Sequence, residues 1–408
     1  MEAAAATLSC GDLDDPIAQL AAPAIVPAVA VRALVGDAGT APQRLRDQWT
    51  ELSRHASEPN AFSENWFASA SLRHLDVPAD LRMIEVWQGM TLLGLMPIHL
   101  ADDYGRLSVR HVTNWVHFHC FLGTPLVRTG AERAFWKAVL QLLDSDASAR
   151  GFLHITALVE HGPVHFGLVA AAQELRRPCD TVHRTQRALL ESDLSATAYY
   201  EHTVRKKKRK ELKRLAARFS ELGSVQTRSL SGAEELDPWC DAFLKLERSG
   251  WKGDRGSALG CDDGTAAFFR EAVEGAFHAG QLEFLRLDLN GEPAAMLVNF
   301  IAPPGSFSFK IAIDEDHGRF SPGVLIQIEN LKVLERGDVR WMDSCAVEDH
   351  PMINSLWGER RSLVRVSVPL SGTVRQATFR FCRLAERASA ALRGIRTSGN
   401  QAQVNDDE

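Results

Sequence analysis

The sequence predicts an α/β protein with mixed sheets, organised as two tandem domains. The order helix, hairpin, strand, helix, strand occurs once in each half of the chain, and this repeat is the main observation behind the fold class. The 408 residues suffice for two or three domains, and 45% hydrophobic with 24% charged residues is the composition of an ordinary soluble protein. A largely disordered chain is therefore excluded.

The first half becomes globular at residue 43. A helix is predicted over residues 43–56, and a second helix begins after Ser63, which can cap it, and runs to about His74. Alternating apolar residues on both sides of a Gln88-Gly89 turn predict a hairpin. The further elements follow from β-branched runs and from apolar residues at helical spacing. In chain order, the elements after the two helices are the strands 81–87, 92–100 and 109–121, the helix 132–143 and the strand 152–158.

The second half repeats this order. Its predicted elements are the helix 265–278, the strands 281–289, 293–301 and 307–313, the helix 323–335 and the strand 339–345. The dipeptide Asn290-Gly291 is a strong hairpin turn between the first two strands. When the first half is shifted by 202 residues, Trp66 falls on Phe268 and Gly89 falls on Gly291. We expect two open mixed sheets packed side by side, although any two α/β halves look alike at this level of detail.

A strongly basic segment separates the halves. Between Arg205 and Arg218 the chain has nine basic residues and one acid, Glu211. Apolar residues at helical spacing predict that this segment belongs to a linking helix over 195–220. It suits a solvated helix between domains, an acidic carrier protein or an RNA partner. The absence of interleaved aromatic residues from 205 to 210 disfavours single-stranded RNA.

Charge and cysteine content set further limits. A formal net charge of −6 argues against a chain built as a whole for nucleic acid, and DNA binding is not expected. Seven cysteines without a CxxC pair favour free thiols, and the acidic N-terminus does not resemble an export signal, so a cytoplasmic protein without a membrane-spanning segment is expected. The predicted parts are a loosely ordered arm (1–42), a first domain (43–194), a linking helix (195–223), a second domain (224–371), and a C-terminal helix with a frayed tail (372–408).

Three stretches of the chain resemble a known family. They are residues 247–253 with 256–259, residues 310–325 around the Ser-Pro-Gly at 321–323, and the basic segment 205–218. Together they resemble the CelD/BioF2-like acetyltransferases of the GNAT superfamily, whose double-domain layout is similar to that of the FemABX peptidyltransferases. The resemblance covers residues 43–370. It implies a GNAT fold in each half and acyl transfer from a thioester, usually to an amine, with acyl-CoA as co-substrate and no permanently bound cofactor.

The donor site implied by this resemblance is the loop between the strand 307–313 and the helix 323–335, which in GNAT proteins holds the diphosphate of coenzyme A. The segment itself suits an anion, because Ser321 can cap the helix, Pro322 fits its first turn and Gly323 lets a ligand approach the backbone. The donor-binding residues expected here are Gly318, Arg319, Phe320, Ser321, Gly323 and Val324. The glycine-rich loop of typical GNAT enzymes is missing, which leaves open an ordinary capped helix, and also a carrier-protein or tRNA donor.

Amine acylation needs a base, and a cation near the carbonyl assists it. Lys310 lies in mid-strand, on the face opposite Phe309 and Ile311 if the strand alternates regularly, and can polarise a thioester carbonyl, hold an acidic substrate or extend to solvent. Asp343 lies in an apolar strand, where an unpaired acid is costly to bury, so it is either the base or a structural hydrogen-bond partner. The candidate bases are Asp314, His317, Asp343 and Glu348.

The acceptor side carries fewer signals. Trp251 and Lys252 lie in a Gly-rich loop that closes over the substrate in the family, and Trp357 can border the same cleft; a tryptophan that only anchors a loop is the alternative. No histidine and carboxylate motif predicts a metal site. The expected acceptor is a small-molecule or peptide amine. Two rival functions are FemABX-like transfer from tRNA and a catalytically degenerate pair of domains that binds a partner in polysaccharide or envelope assembly.

Overall fold

The computed structural model describes residues 27–33 and 41–404. The strands in these residues are β1 (Ala28–Ala33), β2 (Arg82–Gln88), β3 (Thr91–Ala101), β4 (His111–Asn114), β5 (Leu126–Val127), β6 (Phe152–Val159), β7 (Asp180–Glu191), β8 (Val225–Ser229), β9 (Leu282–Leu289), β10 (Glu292–Ala302), β11 (Gly305–Ile313), β12 (Trp341–Asp343) and β13 (Glu359–Pro369). The α-helices are α1 (Gln43–Arg54), α2 (Asn65–His74), α3 (Glu132–Ser145), α4 (Pro163–Glu174), α5 (Ala196–Thr203), α6 (Lys206–Ser220), α7 (Leu236–Ser249), α8 (Trp251–Asp254), α9 (Asp263–His278), α10 (Pro322–Asn330) and α11 (Thr373–Val404).

The predicted N-terminal arm and tail are only partly covered. Residues 1–26, 34–40 and 405–408 lie outside the described residues. Within the predicted arm, Ala28–Ala33 form strand β1, which pairs antiparallel with β2. The sequence analysis does not predict this strand.

The strands form one continuous mixed sheet, not the two sheets that the sequence analysis predicts. Its order is β1-β2-β3-β4-β6-β13-β7-β12-β11-β10-β9-β8, with β5 beside β3. Neighbouring strands are antiparallel, except for the parallel pairs β4 with β6 and β11 with β12. The two halves are joined because β13 lies beside β6 of the first half, while β7 lies beside β12 of the second. The last strand of each half therefore lies in the sheet of the other half.

Most predicted elements are confirmed, with two exceptions that affect the site. Both hairpins and the strand at 307–313 form, and the helices at 43–56, 132–143 and 265–278 do so with small shifts of their ends. The predicted strand 109–121 ends at Asn114, whose side chain donates to the carbonyls of Gly123 and Thr156 and accepts from the Thr156 N–H. These bonds divert the chain into a loop over residues 115–125. The linking helix is two helices, α5 and α6, with a break at Val204 and Arg205.

An aromatic core joins the two halves on one face of the sheet. Phe62 and Phe67 of the first half have ring centres 5.2 Å apart, and Phe67 lies 5.3 Å from Phe268 of the second half. Helix α2 packs on α9 in the same region. Edge-to-face rings such as these add about 0.5–1.5 kcal/mol per pair beyond the area that they bury. The face opposite α9 has its own cores, one of which packs α6 and α10 against β9, β10 and β11.

Candidate active site

The parallel strands β11 and β12 separate after a short contact, which opens the sheet between them. β12 pairs with β11 only where Gly305–Phe307 lie opposite Trp341–Asp343. β12 then ends, and Cys345 turns the chain with a left-handed φ of 54°. In the described part of the chain, residues 308–313 of β11 have no strand partner on this side. The edge therefore offers backbone N–H and C=O groups to a ligand.

A β-bulge directs Lys310 toward the aromatic core side of this opening. The register between β10 and β11 shifts between Val298 and Asn299, which leaves Phe309 as the extra residue. Phe309 packs in the aromatic core, whereas Ile311 packs on the opposite face against α10. The regular alternation that the sequence analysis assumes is therefore wrong at this point, because a bulge reverses the faces that follow it.

Three aromatic rings surround the ammonium group of Lys310. Its Nζ lies 5.6 Å from the ring centre of Phe118, 5.5 Å from that of Phe121 and 5.7 Å from that of Phe309. These distances lie within the range of cation–π attraction. Among the described residues, no side chain or backbone group makes a hydrogen bond or ion pair with this ammonium. Burial lowers the pKa of Lys310 to about 8, because the charged form is poorly solvated there.

Phe118 and Phe121 are functional candidates that the sequence analysis missed. Both lie in the loop 115–125, so the first half of the chain supplies part of the wall around Lys310 of the second half. Phe118 is 76% exposed at the mouth of the opening. The Phe121 carbonyl accepts a hydrogen bond of 2.7 Å from Nη1 of Arg187, which fixes the loop to β7. The available signal was the aromatic and histidine-rich run at 115–121, which also has the composition of a strand.

Lys252 lies in helix α8, not in the loop that the sequence analysis predicts, and it ties this helix to the open edge of β11. Its Nζ donates to Oε1 of Glu247 at 2.7 Å and to the backbone carbonyl of Ile311 at 2.9 Å. Glu247, which is only 3% exposed, also accepts from the Leu259 N–H at 2.9 Å. Lys252 is thus held by protein groups, and we propose a positioning role for it in place of the predicted contact with substrate. Trp251, in the same helix, is 49% exposed and remains accessible to a ligand.

Asp343 is the centre of a buried ion-pair cluster beneath the opening. Its fully buried Oδ2 accepts from Nη2 of Arg187 at 2.7 Å and from Nη1 of Arg361 at 3.0 Å, and its Oδ1 accepts from the Cys345 N–H at 2.9 Å. Burial alone would raise the pKa of Asp343, but the charges of Arg187 and Arg361 outweigh it and lower this pKa. A carboxylate whose oxygens are occupied and whose pKa is lowered is a weak base. We therefore propose a structural role for Asp343, in place of the catalytic role that the sequence analysis gives it.

The loop after β11 does not have the capped helix start that the sequence analysis predicts for the donor site. Ser321 has a left-handed φ of 57° and its side chain caps no N–H group, so the predicted capping is wrong. Gly323 faces inward, where an added Cβ would lie 3.1 Å from a side chain of β11. Val324, half-buried, donates its N–H to the Ser321 carbonyl at 2.9 Å. Gly318 differs, because a Cβ added there would meet no atom within 4 Å.

The other residues of this loop contact each other and helix α6. Oδ2 of Asp314 and Nδ1 of His317 are 2.7 Å apart, and Phe320 is buried against α6. Arg319 is exposed and lies 4.7 Å above the ring of Phe320. Asp314 comes four positions after Lys310, which corresponds to about 13 Å along an extended chain. Among the described residues, no hydrogen bond or ion pair joins Asp314 or His317 to Lys310, and the role of either as a base stays a prediction.

Trp357 and Glu348 are two further residues that the sequence analysis names. Trp357 is fully buried with Met342 in the core on the other face of the sheet, so the expectation that it borders the cleft is wrong. Glu348 is exposed, and its carbonyl accepts from Asn354 Nδ2 at 2.7 Å. In residues 27–33 and 41–404, no three or more His, Cys, Asp or Glu side chains are grouped as metal ligands. Over the same residues, no helix has both the length and the apolar character needed to cross a membrane.

Comparisons with known proteins agree with this geometry. Residues 206–350 match the acetyltransferase (GNAT) domain family. The crystal structure of FemX is 10% identical with a TM-score of 0.51, and the match covers 79% of this chain and 95% of FemX. A conserved protein of unknown function from Bacteroides thetaiotaomicron VPI-5482 is 13% identical with a TM-score of 0.50, covering 79% of this chain and 96% of that protein.

A tandem GNAT protein from the clavulanic acid biosynthesis pathway is 18% identical with a TM-score of 0.42, and the match covers 85% of this chain and 99% of that protein. No curated protein matches the sequence. The region that contains the open edge of β11, Lys310 and the loop after it lies inside the matched family domain. The second half of the chain therefore carries a region that matches the GNAT acetyltransferase domain family, and the fold of the whole chain is similar to that of FemX.

Proposed function

We propose that this protein transfers an acyl group from a thioester to an amine. The GNAT domain supports acyl transfer in general. The observation that carries the finer proposal is the open edge of β11, beside which the unpaired ammonium of Lys310 is buried among aromatic rings. The donor that we propose is an acyl thioester on a phosphopantetheine arm, as in acyl-CoA, with this arm along residues 308–313.

In the proposed reaction, Lys310 and the free N–H groups of the edge stabilise the negative charge that develops on the thioester oxygen. The neutral amine attacks the carbonyl carbon, a C–N bond forms and the C–S bond breaks. The proton that the amine nitrogen loses passes to the departing thiolate. Phe118 and Phe121 keep water from the ammonium, which strengthens its interaction with the oxygen.

Residues around the opening have proposed binding roles. Arg319 is exposed next to Gly318, where the chain leaves space, and we assign this pair to the phosphate at the end of the donor's arm. Trp251, in the short helix α8 that Lys252 ties to β11, is assigned to the acceptor side. A guanidinium above open space suits a phosphate, and an exposed tryptophan beside a cleft suits the apolar part of a substrate.

An aminoacyl-tRNA donor is a second candidate function. The observation that favours it is the exposed row of cations on α6. An aminoacyl-tRNA donor would use the same open edge and Lys310 as the first proposal, because an aminoacyl ester also has a carbonyl oxygen to stabilise. A pair of domains that only binds, without catalysis, is the third candidate.

The test combines donors with two substitutions of Lys310. Purified protein is incubated with a panel of acyl-CoA thioesters and with amines from a cell extract, while released thiol and product mass are measured. Lys310→Met should lower the rate by a hundredfold or more, and Lys310→Arg should retain part of it, because removal of one oxyanion donor costs about 10²–10³ in rate. Lys245→Met, on an exposed surface of α7, is the matched control and should behave as wild type.

The outcomes of this experiment distinguish the three candidate functions and test the role of Lys310. A rate for Lys310→Met within threefold of wild type would show that the carbonyl is held elsewhere. Transfer that RNase abolishes would favour the tRNA donor. Binding of acyl-CoA with no thiol release from any member of the panel would favour the pair of domains that only binds.

A further inference from the structure

Helix α6 exposes a row of cations, which we call the basic face. Its members are the exposed side chains of Lys206, Lys207, Lys210, Lys213, Arg214 and Arg218. The opposite side of the helix is buried through Leu212 and Phe219. None of the six cations makes an ion pair or hydrogen bond with a described residue. At 1.5 Å per residue, the row extends over about 18 Å.

Helix α6 packs on the loop proposed for the donor through the side opposite the basic face. The ring of Phe219 is 5.5 Å from that of Phe320 and 5.8 Å from that of His317, so the C-terminal turn of α6 packs on this loop. Arg319 is a further exposed cation in the loop. The packing of Phe219 therefore holds the basic face in a fixed position relative to this loop.

The loop itself offers little to a diphosphate. Gly323 faces the strand, and the Val324 N–H is already bonded to the Ser321 carbonyl. A diphosphate needs a few donors that converge on one point, whereas the basic face spreads six cations along a helix. The distribution of charge thus fits an extended acidic surface better than a compact anion.

We propose that the thioester donor is presented by an acidic carrier protein, which docks on the basic face and directs its phosphopantetheine arm along the open edge of β11. This inference rests on the proposed acyl transfer. Charge complementarity supports it, because the whole chain has a net charge of −6 and an acidic partner is attracted only by a local patch of opposite sign.

An RNA partner fits the basic face less well. The aromatic residue of α6, Phe219, is buried, so no ring on the face can stack with a base. Glu201, Glu211 and Glu221 are exposed before, within and after the helix and would repel a continuous row of phosphates. A protein surface, where carboxylates are separated, can avoid these acids.

The test compares binding by three proteins. They are the wild type, a variant with Lys206, Lys210, Lys213 and Arg214 changed to Gln, and a control with Arg106, Arg133, Lys245 and Arg380 changed to Gln. All eight positions are exposed, so each variant loses four surface charges. The probes are a fluorescent acyl carrier protein charged with an acetyl group, acetyl-CoA and a mixture of deacylated tRNAs, at 50 and 200 mM salt.

The basic-face variant should bind the carrier protein at least about tenfold more weakly and with a smaller salt dependence, while the control stays within twofold of wild type. All three proteins should bind acetyl-CoA equally. Equal binding of the carrier by all three, absence of carrier binding by the wild type, or tighter binding of tRNA than of carrier would overturn the proposal. Thiol release from acetyl-CoA without carrier binding would leave the proposed acyl transfer intact, and carrier binding without transfer would leave the docking intact.

Discussion

Lys310 is a cation that the fold buries without a counter-ion. The carboxylate whose charge favours the charged form of Lys310 is Glu247, but Glu247 is bonded to Lys252 and to the Leu259 N–H and makes no ion pair with Lys310. Such a group destabilises the folded protein, and groups of this kind are concentrated at functional sites. The ammonium is therefore available to an oxygen of a ligand, because no described protein group makes a hydrogen bond or ion pair with it.

Lys310→Met should raise the free energy of unfolding by about 1–3 kcal/mol at pH 7. The pKa of Lys310 falls from 10.5 to about 8 on folding, so between these pH values the unfolded chain binds the proton more tightly. The wild type should consequently gain stability as the pH rises from 8 to 10.5. The advantage of Lys310→Met should be constant below pH 8 and disappear near pH 10.5. Urea denaturation of both proteins at pH 7 and pH 10 measures this advantage. An equal difference in the free energy of unfolding at the two pH values would contradict a lowered pKa of Lys310 as its cause.

Asp343→Asn should destabilise the protein by about 3–5 kcal/mol, because it leaves the buried guanidinium of Arg187 without its counter-ion. Asp338→Asn is the matched control, since Asp338 pairs with Arg336 at an exposed position and should cost less than about 1 kcal/mol. Denaturant titration of both variants provides the comparison. If Asp343→Asn kept its stability but lost activity a hundredfold, the catalytic role given to Asp343 by the sequence analysis would be restored.

At the scale of elements, the sequence predicts hairpins well and irregular segments poorly. Asn290-Gly291 identifies a hairpin because its turn requires a backbone conformation that few residues adopt. The strand predicted over 115–121 does not form, because β-branched and aromatic residues indicate burial as much as they indicate a strand. The side-chain hydrogen bonds of Asn114 that end β4 depend on tertiary contacts, which the sequence does not show. The bulge at Phe309 leaves no signal in the sequence. The face of the sheet on which Lys310 lies is therefore known only from the structure, although the sequence already makes Lys310 a candidate.

Two glycines of the loop after β11 should respond differently to substitution. Gly318→Val should leave stability within about 0.5 kcal/mol of wild type, since no atom lies within 4 Å of the added Cβ, and should weaken binding of acetyl-CoA if the diphosphate approaches here. Gly323→Val should instead cost about 1–3 kcal/mol, because its Cβ would lie 3.1 Å from Cγ2 of Ile313. Calorimetric titration and thermal unfolding separate the two effects. Unchanged acetyl-CoA binding by Gly318→Val would locate the phosphates elsewhere.

At the scale of the whole molecule, the exchange of last strands makes the two halves depend on each other. β13 pairs with β7 from Glu359 opposite Leu189 to Ser367 opposite Asp180, and each of the two strands also pairs with the opposite half. The halves resemble each other because β2, β3, β4 and β6 correspond in order to β9, β10, β11 and β12, with one parallel pair in each set. The sequence repeat predicted this correspondence, but the exchange depends on pairings between residues far apart in the chain.

Fragments 1–223 and 224–408 should therefore not fold separately. The first would lack β13 between β6 and β7, and the second would leave the three-residue β12 without β7, so both would expose unpaired strand edges and aggregate. The full chain should unfold in one transition, with tryptophan fluorescence and far-ultraviolet circular dichroism changing together. Co-expression should recover a soluble complex of the two fragments, because the missing strands are then supplied in trans. Cooperative unfolding of either fragment alone would show that the exchanged strands are dispensable, and the domain boundary predicted at residue 223 would then mark two independent folding units.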